Sequence, residues 1–147
     1  MKKKAYIALP ISNTNLEDTK NRALAAKMEL SIMGYDVKTP FDLVPDSISD
    51  AIYEKEQKLK GIISEQQRQV LQEQVNVLWA KALGKCLEYL VTCDMVYMLT
   101  GWPKSKGATV EGLTAELYNI PCYFEPQNSD ISIKDLFTSK TLGYVAV

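Results

Sequence analysis

Short apolar runs alternate along this chain with longer stretches of helical period. The first run, Ala5–Pro10 (AYIALP), is bounded by lysines and a proline and predicts a strand central in a sheet. In the polar loop ISNTN that follows, Asn15 is placed to cap a helix whose first turn holds Glu17 and Asp18. Leu24, Ala25, Met28, Leu30, Ile32 and Met33 supply its apolar positions until Gly34 stops it. Tyr35–Thr39 then alternates as a second strand, ended by Pro40. This β-α-β order favours a right-handed crossover and a parallel sheet. A second such unit lies downstream. Met95–Leu99 suits a strand buried on both faces, Val110, Leu113, Ala115 and Leu117 fit one helix, and Ile120–Phe124 reads as a short strand.

Between the two units, Phe41–Ser49 reads as a loop with Asp42, Pro45 and Asp46, after which Ser47 or Ser49 caps a helix over Ile52–Leu59. Ile62–Leu90 is the longest helical pattern, with a stripe from Val70 and Leu71 through Val75, Leu78 and Trp79 to Leu90. Its Gln-rich opening, EQQRQVLQEQ, is expected to extend beyond the core, either as a solvated arm or against a second subunit. After Glu125 the pattern gives a loop, an amphipathic turn around Ile133–Phe137 and an apolar end, Tyr144–Val147. The helix and this tail suggest a homodimer or higher homo-oligomer. Without internal repeat or linker, residues 1–147 are expected to form one domain, with a helical insertion around 46–75.

Composition narrows the partners. A net charge of −1 creates no field for a nucleic-acid polymer or an acidic membrane surface. No stretch reads as a signal peptide or membrane span, so the expected location is the cytoplasm. The three cysteines, Cys86, Cys93 and Cys122, lack CxxC spacing and read as reduced thiols, and neither a metal nor a cofactor is expected. The chain has no histidine, which leaves carboxylates, tyrosines and backbone dipoles for any catalysis.

In open parallel sheets, ligands bind at the carboxyl ends of strands. Here that edge carries the loop Thr100–Lys106, with Gly101 and Pro103, and then the helix start at Gly107. Gly107 allows close backbone approach, free N–H groups attract anions, and Ser105, Lys104 and Lys106 add a hydroxyl and positive charge. Glu111 in the first turns of the helix is either a dipole-stabilised surface carboxylate or a working one. Asp42 lies at the same edge, after the second strand, where acidic loop residues are usually solvated.

Three stretches resemble the nucleoside 2-deoxyribosyltransferase superfamily, in particular its uncharacterised bacterial and phage branch. Ala5-Tyr6-Ile7-Ala8-Leu9-Pro10 is similar to the family's first strand, and Leu87–Leu99 to the helix end and strand ahead of the site. The most specific stretch is Gly101-Trp102-Pro103-Lys104-Ser105-Lys106-Gly107-Ala108-Thr109-Val110-Glu111. The resemblance implies a flavodoxin-like, Rossmann-like three-layer α/β sandwich of about five parallel strands flanked by helices. It also implies chemistry at the N-glycosidic bond of a nucleoside or nucleoside 5′-monophosphate.

In that reading Glu111 is the nucleophile and Tyr6 orients it, with Ser105, Gly107, Ala108, Trp102, Pro10 and Asp42 around the substrate. A serine at the Ser105 position goes with members that act on 5′-monophosphates. Two departures stand out: Cys86 replaces an aspartate beside the leaving base, and Ala8-Leu9-Pro10 lacks the usual glycine. Asp94 is expected to bond local backbone. The alternative is a nucleotide-binding or sensing module with little or no turnover.

Overall fold

The computed structural model describes residues 2–11 and 15–126. The expected turn at Ile133–Phe137 and the apolar end Tyr144–Val147 lie outside the described residues. Within them the order is β1 (Lys4–Ala8), α1 (Leu16–Ile32), β2 (Asp36–Lys38), α2 (Pro40–Leu43), α3 (Asp46–Leu59), α4 (Glu65–Leu90), β3 (Met95–Met98), α5 (Lys106–Leu117) and β4 (Cys122–Phe124). A short 3-10 turn, Trp102–Lys104, separates β3 from α5.

The strands form a parallel sheet in the order β2-β1-β3-β4, so the chain steps to one side of β1 and then returns to its other side. Four strands stand among the described residues where about five are expected. Alternation along β1 and β3 divides the core. Tyr6, Ala8, Val96 and Met98 join α4 and α5 on one face, while Ala5, Ile7, Met95 and Leu99 join α1 on the other. The result is a three-layer α/β arrangement. The Asp94 carboxylate does bond backbone, but not locally: it accepts from Lys4 N at 2.8 Å, tying the start of β3 to that of β1.

Three helical expectations change. In α1 the buried positions are Thr19, Ala23, Ala26 and Leu30, and Leu24, Met28, Ile32 and Met33 face outward. In α5 they are Ala108, Glu111, Gly112 and Ala115, whereas Val110 and Leu117 are exposed. Small residues let both helices lie close to the sheet, and that closeness outweighs the side-chain area their larger neighbours would bury. Residues 41–49 are largely helical rather than a loop, because Pro40 starts α2 and Asp42 bonds back to Thr39 N at 2.9 Å.

Residues 46–75 are α3 and the first part of α4, which pack on each other and bury Ile52 and Val75. Ser64 caps α4 in a reciprocal bond with Gln67. The Gln-rich arm therefore has a companion within its own chain. No helix among the described residues is long and apolar enough to cross a membrane.

Gly101, with φ of +94°, makes the turn that leads out of β3, and Pro10 packs where its side chain would be. Gly101→Ala is expected to destabilise the fold by about 1 kcal/mol or more, read from the midpoint of urea unfolding.

Candidate functional site

The reversal of strand order between the parallel strands β1 and β3 opens a crevice outside their carboxyl ends, the usual ligand position in such a sheet. The loop after β3 is held there by a clamp. The Arg22 guanidinium donates to Thr100 O at 2.9 Å and to Glu125 Oε1 at 2.7 Å, while Thr100 N donates to the same carboxylate at 3.0 Å. Burial alone would raise the Glu125 carboxyl, but these donors hold it below the ordinary range. Beyond the 3-10 turn, Ser105 caps α5 by accepting from Ala108 N at 3.3 Å and is itself buried.

Glu111 lies six residues on, facing the sheet with Ala108 and Ala115. Only 3% of it is exposed, and its Oε2 accepts a hydrogen bond from the Tyr6 hydroxyl of β1. Burial pushes the carboxyl up to about 8, with the Tyr6 hydrogen bond opposing. The Tyr6 phenol is in turn held well above its ordinary value by burial and then by Glu111 and Cys86. Cys86 of α4 completes the cluster, its thiol raised to about 12 by burial and by the adjacent carboxyl. The other two cysteines are raised chiefly by burial, Cys93 to about 11 and Cys122 to about 12.

Above this cluster is a cavity of about 400 Å³. Its floor and one rim are Glu111, Ser105, Lys106, Gly107 and Ala108 of the α5 start. A second wall is apolar, from Leu9, Ile11, Pro40 and Val44. Helix α4 supplies the third, with Asn76, Trp79, Leu83 and Cys86 on one face. A side chain added at Gly107 would meet no atom within 4 Å, so the backbone there is open.

Glu111, Tyr6, Ser105, Gly107 and Ala108 thus converge. Pro10, Trp102 and Asp42 do not line the cavity. Pro10 packs on Gly101, and Trp102 is buried against Phe124 with ring centroids 5.8 Å apart. Asp42 caps α2 and pairs with Lys27 at 3.0 Å. Sequence reasoning missed Asn76, whose only signal is its 3-4-3 spacing to Trp79, Leu83 and Cys86.

The family described as a domain of unknown function, DUF4406, matches residues 51–124, half of the chain. The chain belongs to that family. No curated protein matches it. The DUF4406 match runs from α3 to β4 and includes Cys86, Ser105 and Glu111, while Tyr6 lies before it. The DUF4406 segment therefore contributes the cavity's helical wall and carboxyl, and β1 adds the phenol.

Between pH 4.5 and about 8, a carboxyl raised from the first value to the second keeps its proton in the fold while the unfolded chain has lost it. Its contribution to stability is fullest below pH 4.5 and falls as pH rises to about 8. Glu111→Gln removes that titration. Its stability relative to the parent should grow by about 1 kcal/mol per pH unit across this window, read from denaturant unfolding at several pH values. A difference independent of pH would mean an ordinary carboxyl.

Proposed function

We propose that this protein acts at the N-glycosidic bond of a nucleoside 5′-monophosphate, as an N-glycosidase or a 2-deoxyribosyltransferase, with Glu111 as nucleophile. The observation that carries the reading is a carboxyl buried to 3% exposure that nonetheless lines a cavity, held by one phenol. Such a group costs stability, and perturbed carboxyls in clefts concentrate at functional sites. The resemblance of Gly101–Glu111 to the deoxyribosyltransferases supports it, as does the relation of the DUF4406 family to deoxyribosyltransferase-like proteins.

In this mechanism Tyr6 holds Oε2 and the other oxygen attacks C1′. The C1′–N bond breaks, its electron pair leaves with the base, and the base takes a proton from water. Water then cleaves the glycosyl ester to release the sugar phosphate, or a second base accepts the sugar. The Ser105 hydroxyl, Lys106 and the N–H groups of the α5 start suit a phosphate dianion. A homo-oligomer and a cytoplasmic setting belong to the same proposal.

A second reading, a nucleotide-binding or sensing module, is favoured by Cys86. Its thiol, held protonated with a value of about 12, is a weak proton donor to a departing base.

The test incubates the protein with nucleosides and their 5′-monophosphates, measuring binding by calorimetry and free base by chromatography. The expected result is tighter binding of the monophosphate and slow base release. Because the carboxylate attacks, release should rise about tenfold per pH unit and level near pH 8. Glu111→Gln should bind nucleotide and release nothing. Binding without release in the parent assigns the sensing role, and release unaffected by Glu111→Gln refutes the mechanism.

A further inference from the structure

Helix α4 presents an open side among the described residues. Its buried positions, Val75, Ala82, Cys86 and Leu90, turn toward α3 and the sheet. At about 100° per residue, the opposite side carries Val70, Glu73, Val77, Ala80 and Gly84. Their alternating steps of three and four are the seam of a helix paired with another helix, narrower than the stripe of a helix laid on a core. Val70 and Val77 are 53% and 55% exposed, and Glu73 and Ala80 are exposed with them. A side chain added at Gly84 would meet no atom within 4 Å beyond its own helix. Glycine inside a helix is less stable than alanine, and nothing packed on Gly84 within the single chain requires it. A second helix at close range would.

Charge decides which helix fits. When two copies of α4 cross antiparallel at Val77, each residue faces the one equally far beyond Val77 in the other copy. Val70 then faces Gly84 of the partner subunit, and Glu73 faces Lys81 of the partner subunit. The small Ala80 and Gly84 beside that contact leave room for the Glu73 stem. Lys85 and Glu88 fall opposite Gln69 and Gln66, so no like charges meet. Other arrangements are worse. Sliding by one heptad sets Glu73 against Glu88 in one direction and next to its own copy in the other. Parallel pairing also sets Glu73 beside its own copy.

We infer that α4 pairs antiparallel with α4 of a second copy, crossing at Val77, to form a two-fold dimer. This deepens the homo-oligomer part of the reading above by giving it an interface, and its test is blind to the Glu111 chemistry. Ala80 belongs to the seam and also lines the cavity. The partner's helix therefore runs along the outer rim of each cavity.

Sedimentation velocity on the full chain should show a dimer at tens of micromolar. Glu73→Lys sets lysine against lysine and should raise the dimer dissociation constant at least about tenfold. Adding Lys81→Glu to that variant restores opposite charges and should restore the dimer. Val77→Arg, at an exposed position, should give a monomer with unchanged circular dichroism.

A monomeric parent overturns the inference. If Val77→Arg also unfolds such a monomer more readily, the seam is covered by the chain's own residues 127–147. A dimer unmoved by Val77→Arg and by Glu73→Lys has its interface elsewhere, and a Glu73→Lys, Lys81→Glu variant that stays dissociated overturns the antiparallel register. Each of these leaves the N-glycosidic reading standing, since that reading is judged by base release and the Glu111→Gln variant.

Discussion

A carboxyl group taken out of water is stable in its charged form only if neighbours replace the water, and at Glu111 the Tyr6 phenol is the neighbour recorded. That pairing constrains the surrounding fold. Tyr6 must stand on the α4–α5 face of a central strand, which the alternation of β1 ensures, and α5 must start close enough to the sheet to bring Glu111 down to it. Ala108, Gly112 and Ala115 make that approach possible by lacking bulk. The Arg22–Glu125–Thr100 clamp and the Gly101 turn set where α5 begins. A phenol answers only part of the desolvation, and the carboxyl remains raised to about 8.

Helix α4 serves two environments with one surface. Its C-terminal half gives Ala82, Cys86 and Leu90 to the core, and its middle gives Asn76, Trp79 and Leu83 to the cavity. Its N-terminal part leaves the sheet behind and packs on α3, with Lys55 donating to Gln74 at 2.9 Å. The apolar stripe is therefore continuous in sequence while what it touches changes from sheet to open space to another helix. Residues with the same pattern thus differ in consequence along a single rod.

Much of this was legible in the chain, and the failures share a cause. Apolar runs such as Ala5–Pro10 and Met95–Leu99 identify strands because a strand covered on both faces tolerates little else. The Gly101–Glu111 spacing marks a strand-to-helix turn with a carboxyl in reach of it. Counting apolar bulk misassigned the faces of α1 and α5, where Ala23, Ala26 and Ala108 are chosen for closeness and not for area. Asp42 reads as loop chemistry in the sequence although its spacing to Thr39 is that of a helix start. Asn76 offers only its spacing to Trp79, Leu83 and Cys86, because a polar residue in a Gln-rich helix acquires meaning only when the opposite wall is known.

The three thiols, two buried and Cys122 half-buried, carry a consequence for how the molecule behaves outside any reaction. Disulfide exchange and alkylation proceed through the thiolate, and with values of about 11 to 12 its share near neutral pH is on the order of one part in ten thousand or less. Air, reductant and mild electrophiles should therefore find little to act on. Cys86, which lines the cavity, is thereby kept a thiol where a more acidic cysteine would be a nucleophile.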